Sequence, residues 1–238
     1  MPSYNYDSFS SDQYDLAKFS GPQLGGKAPD AVFDVAGGPS RRLLDFDEEF
    51  LVVETGSVTC PLFQSRRDTM AHLSTTHTKA KFVVMYVREA HPGAQIKQHK
   101  NMGDKISSAQ KLDDGTGDLR EVLVDDIDGS AHKAYGSYPN AVFIVNRNGC
   151  VVYMSDWNDP SATGAALELL ENGKPANVKS LFKPASPAMG MKTFKQSGKG
   201  AAIDFLKSFP SLFWNNMVRR NWRVLTGRQV EVKPDSYC

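Results

Sequence analysis

Hydrophobic runs recur along the chain at the lengths typical of β-strands, and the polar stretches between them carry turn residues. The runs at 50–54 and 81–87 are almost continuously apolar, which indicates central strands covered on both faces. Residues 28–35 instead alternate apolar and polar positions, which is the pattern of a half-buried strand. The predicted strands are 28–35, 41–47, 50–54, 81–87, 122–124, 141–145 and 150–154.

Apolar residues at helical spacing predict helices between these strands, at about 61–76, 102–112 and 161–171. The last two strands flank a turn from Asn146 to Gly149 and therefore predict a β-hairpin. The order β-α-β-α-β-β-α, preceded by an N-terminal hairpin, resembles the thioredoxin-like α/β fold. We therefore expect a central mixed sheet with an N-terminal β-hairpin and flanking helices.

The composition divides the chain into three parts. Residues 1–27 are polar and end in a glycine pair, so they predict a flexible N-terminal arm. Residues 28–172 hold the predicted α/β domain. Residues 173–238 begin as a linker rich in Pro, Gly, Lys and Met and continue into an amphipathic helical extension, with helices expected at 201–206 and 212–225.

Charge and cysteine usage exclude several classes of function. The 28 Lys and Arg nearly balance the 27 Asp and Glu, so the net charge of +1 gives no electrostatic case for nucleic-acid binding. The three cysteines show no metal-ligand spacing and fit a reducing compartment, so we expect neither a bound metal nor a bound cofactor. Because the chain shows no signal peptide and no apolar stretch of membrane-spanning length, we expect a cytoplasmic protein.

The chemistry of the chain points to Cys60, which lies between the apolar run at 50–54 and a helix that begins at Pro61. Proline suits the first helical position, so the thiol should face free backbone N–H groups at the positive end of the helix dipole. This setting predicts a lowered pKa and a nucleophilic thiolate. The alternative is an inert cysteine buried in the core.

A second group of polar residues follows the neighbouring predicted strand. Glu89 and His91 come directly after the run at 81–87. A right-handed crossover would place this strand beside the one that leads to Cys60, so both carboxyl ends would open on one edge of the sheet. We expect His91 to supply a proton and Glu89 to orient its imidazole.

These residues resemble the iodothyronine deiodinases, whose catalytic segment reads Gly-Ser-Cys-Thr-selenocysteine-Pro-Pro-Phe after a central strand. In this chain the segment is Gly56-Ser57-Val58-Thr59-Cys60-Pro61-Leu62-Phe63. Further matches are Glu89-Ala90-His91-Pro92, Gln98-His99 and Ala134-Tyr135-Gly136-Ser137-Tyr138. The resemblance covers residues 28–172.

The resemblance implies a thiol-dependent oxidoreductase that removes iodine reductively from iodothyronines or other halogenated phenols. The implied catalytic residues are Cys60, His91, Glu89, Ser57 and Thr59, with the two hydroxyls donating hydrogen bonds to the sulfur. The implied substrate-binding residues are His99, Tyr86, Phe63 and Tyr138. An external thiol reductant such as glutathione or thioredoxin would complete the cycle.

The departures from the family pattern affect substrate and reductant. Val58 replaces a family cysteine, so no resolving thiol lies near Cys60. Cys238 in the tail is a weaker candidate for that task, and Cys150 is expected to be structural. Pro139-Asn140 replaces a Glu-Arg pair thought to hold the iodothyronine, which leaves the natural substrate open.

Two other functions stay open. Ser57-Val58-Thr59-Cys60 also fits the Ser/Thr-x-x-Cys pattern of peroxiredoxins, in which the thiolate would attack a peroxide. A non-enzymatic thioredoxin-like binding module would leave Cys60 idle. A homodimer is open as well, and the basic amphipathic stretch at 212–225 could lie on a membrane surface, although packing on its own domain or on a partner subunit is favoured.

Overall fold

A computed structural model describes residues 4–115, 117–228 and 230–238, and within these ranges the chain forms a seven-stranded mixed sheet. The strands are β1 (Val32–Val35), β2 (Gly38–Arg42), β3 (Phe50–Gly56), β4 (Ala80–Tyr86), β5 (Glu121–Val124), β6 (Val142–Asn146) and β7 (Val151–Ser155). Their order across the sheet is β2-β1-β5-β4-β3-β6-β7.

The strand pairing agrees with the sequence pattern. β3 pairs in parallel with β4, and β4 in parallel with β5. β6 and β7 form the predicted antiparallel hairpin, and β1 and β2 form the N-terminal one. The thioredoxin-like fold class is confirmed, and the parallel pairing of β3 with β4 places the ends that lead to Cys60 and Glu89 at one edge of the sheet.

Helices flank the sheet on both faces. They are α1 (Pro61–Thr76), α2 (Met102–Ala109), α3 (Ser130–Ala134), α4 (Pro160–Glu171), α5 (Pro187–Ser197), α6 (Ala201–Leu212) and α7 (Asn221–Thr226). A segment with the wider turns of a π-helix, Phe213–Arg220, connects α6 to α7. Among the described residues, every helix is too short or too polar to cross a bilayer.

The alternation of side chains along β3 builds both apolar layers at once. Leu51 and Val53 pack on one face, beneath the N-terminal segment, while Phe50 and Val52 pack on the other, with Met70 of α1. Because β3 is covered on both faces, it has the continuous apolar sequence that predicted a central strand.

Residues 4–27 differ from the expected flexible arm. Tyr6, Phe9, Tyr14 and Leu16 are buried in the same apolar layer as Leu51 and Val53. The burial of this segment was not predicted, because aromatic residues spaced among Ser and Asp show neither helical nor strand periodicity. Burial of each ring is nevertheless favourable through the hydrophobic effect.

Arg88 holds this segment in place from the end of β4. Its guanidinium lies 4.8–5.0 Å from the ring centroids of Tyr4, Tyr6 and Tyr14. Its Nη1 donates to the Tyr4 carbonyl at 2.6 Å, and its Nη2 donates to the Gln13 carbonyl at 3.2 Å. The buried cation is therefore held by π faces and two carbonyl oxygens, while its Nε has no hydrogen-bond partner among the described residues.

The C-terminal part also differs from expectation. α5 lies within the predicted linker and begins at a serine cap, Ser186, whose hydroxyl accepts the Met189 N–H. Cys238 is joined to Cys150 by a disulfide, so it is not available to Cys60 in this state. Disulfides are uncommon in reducing compartments, and this pair weighs against the expectation of reduced thiols.

We predict that Arg88→Met releases the N-terminal segment. The variant keeps the side-chain length but leaves two carbonyl oxygens without their donor, so the free energy of unfolding should fall by about 2–4 kcal/mol. Urea unfolding and limited proteolysis within residues 4–20 would measure this. Arg147→Met is the matched control, because Arg147 is exposed and also donates to a carbonyl, that of Glu48. Equal stability of the two variants would contradict the assignment.

Candidate active site

Cys60 lies where β3 meets α1, as the sequence predicts. It is the N-cap residue of α1, in extended conformation, and Pro61 occupies the first turn. Its sulfur makes no cap hydrogen bond, and the nearby backbone N–H groups of Phe63 and Leu62 act to lower the pKa of the thiol. Among the described cysteines it is a free thiol, yet it is only 1% exposed.

Burial decides the ionisation of this thiol. Burial raises the pKa of Cys60 to about 11, although the Phe63 and Leu62 N–H groups and the Arg66 charge act to lower it. The predicted lowering of the pKa is therefore wrong for this state, because the loss of hydration destabilises the thiolate more than the helix N-terminus stabilises it. Cys60 is a neutral thiol at neutral pH in this conformation.

The carboxylate of Glu89 connects the loops around Cys60. Its Oε2 accepts the backbone N–H of Thr59 at 3.0 Å and the Thr59 hydroxyl at 2.6 Å. Its Oε1 accepts the Tyr86 hydroxyl and lies 3.2 Å from Nε2 of His99. Burial acts to raise the pKa of Glu89, but the hydrogen bonds from His99, Thr59 and Tyr86 outweigh it and lower that pKa. Glu89 is therefore a buried anion with a donor on each side.

His91 lies beside the Cys60 loop but does not contact Glu89. Its backbone N–H donates to the Thr59 hydroxyl at 3.1 Å. Its ring packs against Phe9 at a centroid distance of 4.1 Å, against Phe194 at 5.3 Å and against Phe205 at 5.7 Å. Burial lowers the pKa of His91 to about 3, so the imidazole is neutral. The predicted Glu89–His91 pair is thus absent among the described contacts, because the carboxylate turns towards His99.

The imidazole that contacts Glu89 is that of His99 and not, as expected, that of His91. It is buried, and its Nε2 faces Glu89 while its Nδ1 has no hydrogen-bond partner among the described residues. Nδ1 of His91 is likewise buried without a described partner. Both imidazoles can therefore offer a ring nitrogen to a ligand or to a reacting atom.

The other predicted site residues have different surroundings. Ser57 and Thr59 bind the loops to each other rather than the sulfur, since the Ser57 hydroxyl accepts the Ala90 N–H at 3.2 Å. Tyr86 belongs to the Glu89 cluster. Phe63 is fully buried against Gly56, where a Cβ would meet its ring at 2.4 Å, so it is a core residue. Tyr138 donates its hydroxyl to the Asp15 carbonyl at 2.7 Å, packs on Trp157 and is also a core residue. Within the described residues every peptide bond is trans, and this includes the Tyr138–Pro139 bond.

Sequence reasoning missed a buried polar cluster below the Cys60 loop. Glu54 accepts hydrogen bonds from Arg120 at 2.6 Å, from Asn140 at 2.8 Å and from Asn158 at 2.7 Å. Asn140 also accepts a hydrogen bond from Arg66 of α1. The available signal was Glu54 itself, because a carboxylate in an apolar central strand needs buried partners.

The terminal segments close the site. Phe9 comes from the N-terminal segment, and Phe194 and Phe205 come from α5 and α6, so both ends of the chain cover His91. A cavity of about 580 Å³ opens beside them and is lined by Val58, Gln64, Gln95, Lys192 and Lys195 among others. Because Val58 is two residues before Cys60, this cavity reaches the edge of the nucleophile loop.

Within the described ranges no group of three His, Cys, Asp or Glu side chains is arranged to hold a metal ion.

Comparison with known proteins identifies the family. The family model described as iodothyronine deiodinase matches residues 5–160. This chain belongs to the iodothyronine deiodinase family. The matched range includes Cys60, the Glu89 cluster and most of the N-terminal segment, so that segment is part of the family domain.

Relatives among the deiodinases cover part of the chain. The thyroxine 5-deiodinase of Rattus norvegicus is 31% identical over 142 residues, which is 54% of this chain and 46% of the relative. The thyroxine 5-deiodinase of Homo sapiens is 30% identical over the same length and the same two shares. The chain thus spans about half the length of the curated relatives that it matches.

Solved structures support the fold alone. A hypothetical protein from Sinorhizobium meliloti 1021 is similar with a TM-score of 0.51 at 22% identity, over 63% of this chain and 85% of that chain. An uncharacterized conserved protein from Geobacillus kaustophilus has a TM-score of 0.56 at 19% identity, over 71% and 96%.

We predict slow alkylation of Cys60 at neutral pH. Because burial raises the pKa of this thiol to about 11, the rate with iodoacetamide should still be rising between pH 9 and that value. Without reductant, Cys150 and Cys238 are held in their disulfide, so mass spectrometry would follow Cys60 alone. A midpoint below pH 7 in the folded protein would contradict the closed, neutral thiol.

We predict that His91 makes the protein acid-sensitive. Its pKa falls from 6.5 to about 3 on folding, so the unfolded state binds more protons between these values. The stabilisation is complete above pH 6.5 and is lost as the pH falls towards 3. His91→Phe should therefore lose less unfolding free energy than the wild type between pH 7 and 4, by up to a few kcal/mol. His72→Phe, at an exposed position of α1, should keep the wild-type slope.

Proposed function

We propose that this member of the deiodinase family is a thiol-dependent oxidoreductase that removes iodine reductively from iodothyronines or related iodinated phenols. The observation that carries the proposal is the placement of Cys60 at the start of α1, one residue after Thr59, whose hydroxyl donates to Glu89, while Glu89 also contacts His99. This arrangement joins a soft nucleophile to an imidazole that a carboxylate orients.

The reaction balances with one proton for the ring carbon and two external thiols. The Cys60 thiolate attacks the iodine of an aromatic C–I bond, the S–I bond forms, and the ring carbon leaves with the C–I electron pair and takes a proton. A first external thiol then displaces iodide from the sulfenyl iodide and forms a mixed disulfide. A second external thiol releases Cys60 as a thiol and leaves the reductant as a disulfide.

We assign the proton supply to His99 in preference to His91. Nε2 of His99 lies 3.2 Å from Oε1 of Glu89, so the carboxylate orients the His99 imidazole, and Glu89 is held anionic by its donors. His91 has no described charge partner, and its low pKa leaves it neutral. Its place among three phenylalanine rings supports a role in holding an aromatic substrate rather than in protonating one.

Turnover requires the site to open. An iodothyronine cannot reach a sulfur that is 1% exposed, and admission of substrate and water would also remove the burial that keeps the thiol neutral. The cavity that ends on Val58 between α1 and α5 is the entrance that needs the least displacement. The reductant must be external, such as glutathione or a thioredoxin-type protein, because Cys150 and Cys238 are paired with each other. It would reach Cys60 by the same route as the substrate.

A thiol peroxidase is the second candidate. Hydrogen peroxide is small enough to reach the closed site, so the burial of Cys60 favours this substrate over a large aromatic one. In that case the thiolate would attack the O–O bond and pass through a sulfenic acid.

We predict that Cys60→Ser abolishes iodide release from iodothyronines in the presence of dithiothreitol. Glu89→Gln should lower the rate by about 10²-fold or more, because a neutral amide cannot replace the carboxylate that orients His99 and accepts the Thr59 hydroxyl. Iodide release from a panel of iodinated phenols would measure both effects. His72→Ala, on the exposed side of α1, should retain the wild-type rate.

The same preparations separate the alternatives. Peroxide consumption that depends on Cys60, without iodide release, would replace the proposal by the peroxidase. Absence of both activities in a protein whose thiol reacts slowly at neutral pH would leave the non-enzymatic binding module.

A further inference from the structure

The C-terminal residues 201–226 form one uninterrupted helix that lies on the domain by one face. Phe213 and Arg220, at the two junctions, have helical dihedral angles, so α6, the wide-turn segment and α7 are continuous. We call this element the C-terminal helix. Asn216 accepts a hydrogen bond from Trp157 at 3.0 Å, and Arg220 donates to the Ser180 carbonyl at 2.7 Å, so both side chains fix the inner face.

The outer face of the C-terminal helix is apolar and exposed. Trp214 is 60% exposed and Trp222 is 68% exposed. The exposed apolar residues of this face are Ile203, Leu206, Phe209, Phe213, Trp214, Val218, Trp222 and Leu225. A contiguous patch of this kind on a folded domain indicates a binding surface.

Apart from Asp204 in its first turn, the C-terminal helix carries only cationic side chains. Residues 205–228 contain no Asp or Glu, and they contain Lys207, Arg219, Arg220, Arg223 and Arg228. Arg220 is neutralised by Asp156, and Lys207 lies 3.9 Å from Asp204, while the other arginines are exposed. A second copy packed through the same face across a twofold axis would bring two cationic surfaces together, because residues 205–228 of both copies lack Asp and Glu, and this is unfavourable. An anionic surface is the complementary partner.

We propose that the outer face of the C-terminal helix binds the surface of an anionic lipid bilayer and lies in the plane of the headgroups. A single exposed helical stripe fits a flat surface, tryptophan side chains favour the boundary between headgroups and acyl chains, and arginines favour anionic headgroups. The amphipathic sequence at 212–225 had favoured packing of this stripe on its own domain or on a partner subunit. The inner face, built around Asn216 and Arg220, leaves the aromatic stripe free for the bilayer. This proposal is independent of the reaction at Cys60.

The test uses the full-length oxidised protein and vesicles of phosphatidylcholine with or without phosphatidylserine. We expect flotation with the phosphatidylserine vesicles, weakened by salt, and a blue shift of tryptophan emission. Trp157 is buried, so the shift reports on Trp214 and Trp222.

Two variants and two controls make the test specific. The double variant W214S/W222S should bind the vesicles at least about tenfold more weakly and should lose the blue shift. The charge variant K207Q/R219Q should lose about tenfold for phosphatidylserine vesicles and keep the emission of the free protein. The controls are Leu119→Ser, at an apolar position that is 89% exposed elsewhere, and Lys174→Gln, and both should bind as the wild type does.

Three results would overturn the proposal. The first is absence of flotation with phosphatidylserine vesicles at low salt. The second is equal binding by W214S/W222S and Leu119→Ser, with circular dichroism showing both folded. The third is a dimer in sedimentation that W214S/W222S disperses, which would assign the face to a second copy.

Discussion

The buried carboxylate of Glu89 is the interaction on which the site depends. It accepts hydrogen bonds from Thr59 in the nucleophile loop, from Tyr86 at the end of β4, and from His99 ahead of α2. Three segments distant in sequence are thereby held around one anion. An unpaired carboxylate at this depth would cost several kcal/mol, so the donors must be present for the domain to fold in this form. The same hydrogen bonds that satisfy the charge also set the position of the His99 imidazole relative to the loop that carries Cys60.

The ionisation of Cys60 results from a competition between two local effects. The helix N-terminus supplies N–H groups that favour the thiolate, whereas burial removes the water that would solvate it. In the closed structure the second effect is larger. Access and reactivity are therefore coupled, because any movement that admits a substrate also restores solvent to the sulfur. Opening of the terminal segments would control both.

The C-terminal helix has two faces with separate tasks. Phe205 on its inner side lies 5.7 Å from the His91 ring and 5.9 Å from Phe209, which begins the exposed stripe. Trp214 and Trp222 lie on the outer side. The inner face of the helix packs on the domain and covers the site, whereas its apolar outer face has no partner within the domain. The apolar residues of the outer face are therefore exposed.

The sequence alone determined six of the seven strands, the parallel β3–β4 pair and the location of Cys60 before α1, because these follow from local periodicity and from the positional preference of proline. It placed the second strand at 41–47, whereas β2 is Gly38–Arg42. It also placed Glu89, His91 and His99 near the nucleophile through their family motifs. Only the tertiary structure decided which histidine pairs with Glu89, that Phe63 and Tyr138 are core residues, and that Cys150 joins Cys238. Each of these depends on contacts between residues far apart in the chain. Burial, which fixes the pKa of Cys60 and the order of residues 4–27, is a sum over such contacts and has no local signature.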